Sequence, residues 1–192
     1  MAKQLKRINS EQLVRKILKG ERDFSSIKLS DGLNLPLYTL ELQEYLLDSD
    51  LFHEPLNFKY SSLKNIKAQN LSMPYTIANN SDLQGSVFKG TDLSYVNFND
   101  SNLSHSDLSN TVLFKADLRS TNLTEALLKG ADISSSTIFY SDFSRTDLRG
   151  CKGLESTQST SYAKFNDTIV SRAEEQAIRM ILDHGRLFDI RN

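Results

Sequence analysis

Apolar and polar positions alternate with a period of five over half the chain. From Leu83 to Leu148 every fifth residue is Leu, Ile or Phe, fourteen times in succession. Two places before each sits Ser, Thr or Ala, with Val96 the one exception, and most residues between are Asp or Asn, as at Asp82, Asn97, Asp107, Asp117 and Asp142. In extended chain, side chains two apart point the same way, so the small and the large residue face inward and the acidic one outward. The next inward residue comes three later, which alternation cannot supply, so a corner must fall between units. Each pentapeptide therefore predicts one very short strand plus one turn. It buries nothing alone and makes a core only by stacking in successive coils. The phase holds for nineteen units, residues 56–150, although the first five carry Phe58, Leu63, Ala68, Met73 and Ala78 at the large position and lose the polar consensus.

The flanks read differently. Asn9 or Ser10 caps an expected helix over residues 10–19, with Gly20 as its stop and Leu13, Val14, Ile17 and Leu18 as a narrow apolar stripe. Residues 22–26 and 27–31 resemble two early units in a different phase. Pro36 ends any extended segment there, and a second helix is expected over roughly 38–49, closed by Pro55. After Gly150 the pattern is expected to dissolve, since Gly153 occupies the large apolar slot. A connector then leads to one last extended segment at Ala163-Lys164-Phe165. Ser171 and Glu174 form a capping box for a helix over 172–183 that stops at Gly185, with Leu187, Phe188 and Ile190 trailing. The organisation expected is an N-terminal cap (1–55), a repeat block (56–150) and a C-terminal connector with capping helix (151–192).

Ala116-Asp117-Leu118-Arg119-Ser120 matches the A(D/N)LXX consensus of the pentapeptide repeat proteins, and Ser106-Asp107-Leu108-Ser109-Asn110 nearly does. The resemblance implies an all-β solenoid: a right-handed quadrilateral β-helix with four units per coil, here flanked by α-helical caps. Nineteen units would make a little under five coils, about 23 Å long at ~4.8 Å per strand. A twenty-residue period would stack Ala78 between Phe58 and Phe98, small against large. It would also align Ser61, Ser81, Ser101, Thr121 and Ser141 in one hydroxyl column.

Composition narrows the chemistry. With 192 residues, 39% apolar composition and a formal charge of −1, neither a nucleic-acid binder nor a strongly acidic protein is announced. Lys3, Lys6 and Arg7 are followed by no apolar core, no run of ~20 apolar residues occurs, and Cys151 stands alone at a small inward slot, so a cytoplasmic protein without secretory signal, membrane segment or disulfide is expected. His53, His105 and His184 have no ligand spacing, and no phosphate loop or catalytic constellation occurs, so no metal, no cofactor and no enzymatic activity are expected. The family's best-known members protect DNA gyrase as acidic mimics of duplex DNA. Here nine acidic residues of the block meet nine basic ones, and no basic stripe exists for direct binding of nucleic acid. Gyrase is therefore the alternative partner to the leading reading, a rigid scaffold for an unknown protein. Its candidate surface is the set of aromatics at outward positions: Tyr75, Tyr95, Phe114, Phe139 and Tyr140. The first two are expected to be neighbours on one edge. Phe114, Phe139 and Tyr140 are expected to lie together, under the segment that follows Gly150. A homodimer through a terminal cap stays open.

Overall fold

The computed structural model describes residues 5–30, 39–47 and 49–189, so Pro36 and Ile190 lie outside the described residues. Its central feature is a ladder of parallel bridges that joins the second residue of each unit to its counterpart twenty residues on, from Asn57 and Ile77 to Asp132 and Lys152. Four pentapeptides thus make one coil.

The unit Thr91-Asp92-Leu93-Ser94-Tyr95 shows why five residues suffice. The Asp92 N–H donates to Leu71 O in the coil before (2.9 Å), and the Leu93 and Tyr95 N–H groups donate to Val112 O and Phe114 O in the coil after (2.8 Å each). The Thr91 N–H closes the preceding corner on Phe88 O at 3.0 Å. One donor remains, the N–H of the fourth residue, and the Asp92 carboxylate takes it: Ser94 N–H to Asp92 Oδ1 is 2.9 Å. The acidic residue of the consensus is an Asx cap on its own corner. The small residue has a matching task. Thr91 Oγ1 donates to Ala68 O, and Ser81, Ser101, Thr121 and Ser141 each donate to the carbonyl twenty-three residues earlier. Backbone groups beside a dry core are thereby paired.

The fifth residue of every unit from Tyr60 to Gly150 is left-handed, with φ from +53° to +71°. Fifteen of these nineteen are not glycine. Eleven are neither Gly nor Asn, the residues usual in this region, and each coil's ladder holds them in place. Inside, the large residues from Leu83 to Leu148 are all buried.

At the N-terminal end, β1 (Lys6–Ile8) pairs in parallel with β2 (Ile27–Leu29). Between them runs α1 (Ser10–Leu18), begun by an Asn9–Gln12 capping box and burying Leu13, Val14 and Ile17. The two early units prove to be in phase in space: Asp23 bridges Asn57 and Lys28 bridges Ser62, an offset of 34 residues rather than twenty. The segment that carries α2 (Thr39–Leu47) is looped out of this first coil and seats Leu42 and Leu46 against the core. A cavity of about 40 Å³ remains where α1 and α2 meet Leu63, Met73 and Ala78.

The C-terminal end corrects the expectation that the pattern dissolves. Bridges continue from Thr137 to Gln158, Asp142 to Lys164 and Asp147 to Ile169, with one or two extra residues per coil. The first extra residue is absorbed at Gly153, left-handed at φ +81°, where a side chain would collide with Ser134. Leu154 then enters the core in its place, opening a 3₁₀ turn, Leu154–Ser156. The last helix, α3 (Arg172–Asp189), runs through Gly185 instead of stopping there. A lone interior glycine costs only ~1 kcal/mol, and no proline follows to end the helix.

Candidate interaction surface

Because one coil is one step, residues twenty apart at a corner meet face to face. The rings of Tyr75 and Tyr95 stack with centroids 4.8 Å apart and planes 12° from parallel. Phe52, from the loop after α2, sets its edge on Tyr75 at 5.1 Å, and Phe114 is edge-on to Tyr95 at 5.8 Å. The Lys115 ammonium lies over both Tyr95 and Phe114, at 5.5 and 5.2 Å from their centroids. The result is one strip across three coils and the N-terminal insertion, with Phe52 62% and Tyr95 40% exposed. At its upper end a groove of about 240 Å³ runs between Leu46, Leu47, Phe52, Pro74 and Tyr75. Phe52 and Leu47 carry no periodic signal, so sequence alone could not have joined them to the strip. His53 adds its ring to Phe52 (4.8 Å) and binds Asp50 at 2.6 Å, a contact that holds the Asp50 carboxyl below its usual range.

The five candidate aromatics do not form one surface with a covered half. Phe114 joins Tyr95, whereas Phe139 and Tyr140 sit at a separate corner, edge-on to each other at 4.4 Å. Tyr162 of the last coil stacks on Tyr140 (4.6 Å, 7°) and meets Phe139 edge-on, yet Tyr140 stays 52% exposed. Of the segment after Gly150 it is thus Tyr162 that partly covers Phe139 and Tyr140, while Phe114 lies apart and α3 covers the end of the coil. There α3 packs on the Leu154–Ser156 turn and buries Ile178 and Ile181. The cause is that the chain makes another coil before the helix begins, which sets α3 beyond the corner.

Elsewhere the outward carboxylates are engaged. Burial pushes the Asp117 carboxyl up, but hydrogen bonds from Arg119 and Thr137 outweigh it and hold it low. Asp147 is held low chiefly by Arg149, whose Nη2 lies 2.7 Å away. Burial, aided by nearby Glu174, pushes the Cys151 thiol up to about 12, so it is an inert packing group. No three His, Cys, Asp or Glu side chains among the described residues come together as metal ligands do, and none of the described helices is long and apolar enough to cross a membrane.

The model of the pentapeptide repeats matches residues 78–110 and 116–152 in eight copies, so this block is built of pentapeptide repeats. No curated protein matches the sequence. Among solved structures it is similar to a pentapeptide repeat protein from the thylakoid lumen of Arabidopsis thaliana, at 20% identity over 64% of this chain and 74% of that one (TM-score 0.33). It is also similar to HetL of Nostoc sp. strain PCC 7120, involved in regulating heterocyst differentiation, at 16% over 84% and 92% (TM-score 0.35). A third is QnrB1, a plasmid-mediated fluoroquinolone resistance protein, at 15% over 84% and 81% (TM-score 0.33).

Proposed function

We propose that this chain is a non-catalytic scaffold: a right-handed quadrilateral β-helix, capped at both ends, that presents the strip Phe52–Tyr75–Tyr95–Phe114 to a protein partner. The observation that carries the reading is the Tyr75–Tyr95 stack. Each ring gives one face to the other, and Phe52 beside Tyr75 and Lys115 over Tyr95 crowd the outer sides of the pair. That favours a shaped protein surface over a base or sugar, which would need a free ring face. The Phe139–Tyr140–Tyr162 corner is a smaller second patch. The division into cap, repeat block and C-terminal cap, a cytoplasmic setting and a homodimer through a cap belong to the same reading.

Gyrase, the alternative partner, has less support, because a DNA mimic needs a continuous negative face and this block carries balanced charge. Inhibition of supercoiling at micromolar protein would restore that reading. The scaffold reading is tested by replacing Tyr75 and Tyr95 with Ser. The melting temperature should hold while the partner is lost from an affinity capture, and an unchanged capture would remove the strip from consideration.

A further inference from the structure

The Asx cap is missing from eight of the nineteen units, and three of these, at Lys67, Val87 and Leu127, share one face. Val87 and Leu127 stand where their neighbour Asp107 carries a carboxylate. The Ser109 N–H is accordingly capped by Asp107 at 2.9 Å, and the Arg149 N–H by Asp147 at 3.1 Å. The N–H groups of Lys89 and Lys129 have no acceptor among the described residues. These two bare N–H groups each belong to a lysine, whereas the third on this face, two residues after Lys67, belongs to Gln69. Both lysines are exposed, and neither forms an ion pair among the described residues. Leu127 beside Lys129 is 46% exposed. The seat that Asp107 fills from within its own coil is thus open on either side of it, each time with a backbone donor, an ammonium group and an apolar neighbour, a set that the Lys67 unit with Gln69 does not offer. Asp147, one coil beyond Leu127, is already engaged by Arg149.

We propose that this face, from Val87-Lys89 to Leu127-Lys129, docks an acidic amphipathic helix of a partner protein, two of whose carboxylates supply the missing caps in trans. The spacing selects the helix. The seats are two coils apart, ~9.6 Å at the strand spacing. Along an α-helix, residues seven apart share a face and are separated by ~10.5 Å. In an extended peptide, same-face residues fall at ~6.7 and ~13 Å, and neither fits. The helix lies along the coil axis with its apolar side chains on Val87 and Leu127, and its carboxylates straddle Asp107. Anion binding on a bare N–H beside an ammonium is a charge-assisted contact, stronger than a neutral one. This face is distinct from the aromatic strip and stands whether or not that strip binds.

The probe is a helix-favouring peptide with two Glu seven positions apart and Leu between them, titrated into isotope-labelled full-length protein. The amide resonances of Lys89 and Lys129 should move while that of Ser109 stays. Replacing both Glu by Gln should weaken binding about tenfold or more, as the loss of charged hydrogen bonds implies. The double variant Val87→Asp/Leu127→Asp fills both seats from within. It should melt higher than the wild type and no longer bind the peptide, which separates a blocked seat from a damaged fold. Equal binding of the Gln peptide, or undiminished binding by the double variant, would overturn the proposal. So would a single-stranded oligonucleotide that moves the same resonances more strongly, or a shift of those resonances with protein concentration alone, which would give the seats to a second copy.

Discussion

Glu174 Oε1 accepts the Gly150 backbone N–H at 3.2 Å, while its other oxygen accepts the Ser171 N–H at 2.8 Å. One buried carboxylate thus both starts α3 and fastens it to the last unit of the repeat block. The sequence announces the first task as a capping box. The second joins residues twenty-four apart and had no local signal.

Removing this carboxylate should release α3. Glu174→Ala leaves the two N–H groups without it, at a cost of about 1–3 kcal/mol for buried donors. Cys151, buried beneath the same junction, should then react faster with a thiol reagent, while the repeat block melts nearly as before. An unchanged labelling rate would mean that α3 is held by Ile178 and Ile181 alone.

The same contact should be lost in acid. Burial pushes the Glu174 carboxyl up, but the hydrogen bonds from Ser171 and Gly150 outweigh it, so its folded value lies below the ordinary one. A lowered folded value gives stability that is complete above the ordinary carboxyl range. It fades as pH falls through the folded value, so undocking begins below about pH 4. Hydrogen exchange of α3 against pH should show loss of protection in that window for the wild type and none of that dependence for Glu174→Ala. A wild-type profile as flat as the variant's would refute the linkage.

If the outward acid is an Asx cap, its charge is dispensable and its oxygen is not. Asp92→Asn should therefore be nearly neutral, as Asn102 already caps Ser104 at 3.1 Å, whereas Asp92→Ala should cost about 1 kcal/mol. Thermal melts of the pair decide it, and equal melting temperatures would deny the cap its role.

The cavity beside Ala78 is a packing defect of the degenerate units. Ala78→Val places two methyl groups in a void of about 40 Å³. It should raise stability by about 1 kcal/mol, at ~0.8 kcal/mol per buried group less some strain. A lower melting temperature would mean that Phe58 and Phe98 already close on Ala78.

Periodic features were legible and contacts made across the insertion were not. The five-residue phase requires the inward set, and the bridges at twenty confirm the coil length that Ala78 between Phe58 and Phe98 suggested. The left-handed fifth residue was hidden because Tyr occupies it as often as Gly and Lys115 and Glu125 occur there too, so the ladder rather than local propensity sets it. The early units at Asp23 and Lys28 looked out of phase because an inserted helix changes the count along the chain but not the stacking in space. Pro74 is intelligible only afterwards: it lacks the N–H that Ser72, in the Asp position, does not cap. Of the surface, Tyr75 beside Tyr95 followed from the period. Phe52 did not, since its place depends on how the insertion returns to the coil.

The account rests most directly on the aromatic strip as the face met by a partner. A photo-crosslinking phenylalanine analogue placed at position 95, at 114 or, as a control on another corner, at 145 tests this in the source cell. The strip positions should trap one and the same protein and position 145 should trap none of it. Trapping from 145 as efficiently as from 95, or no adduct from either strip position, would contradict the account.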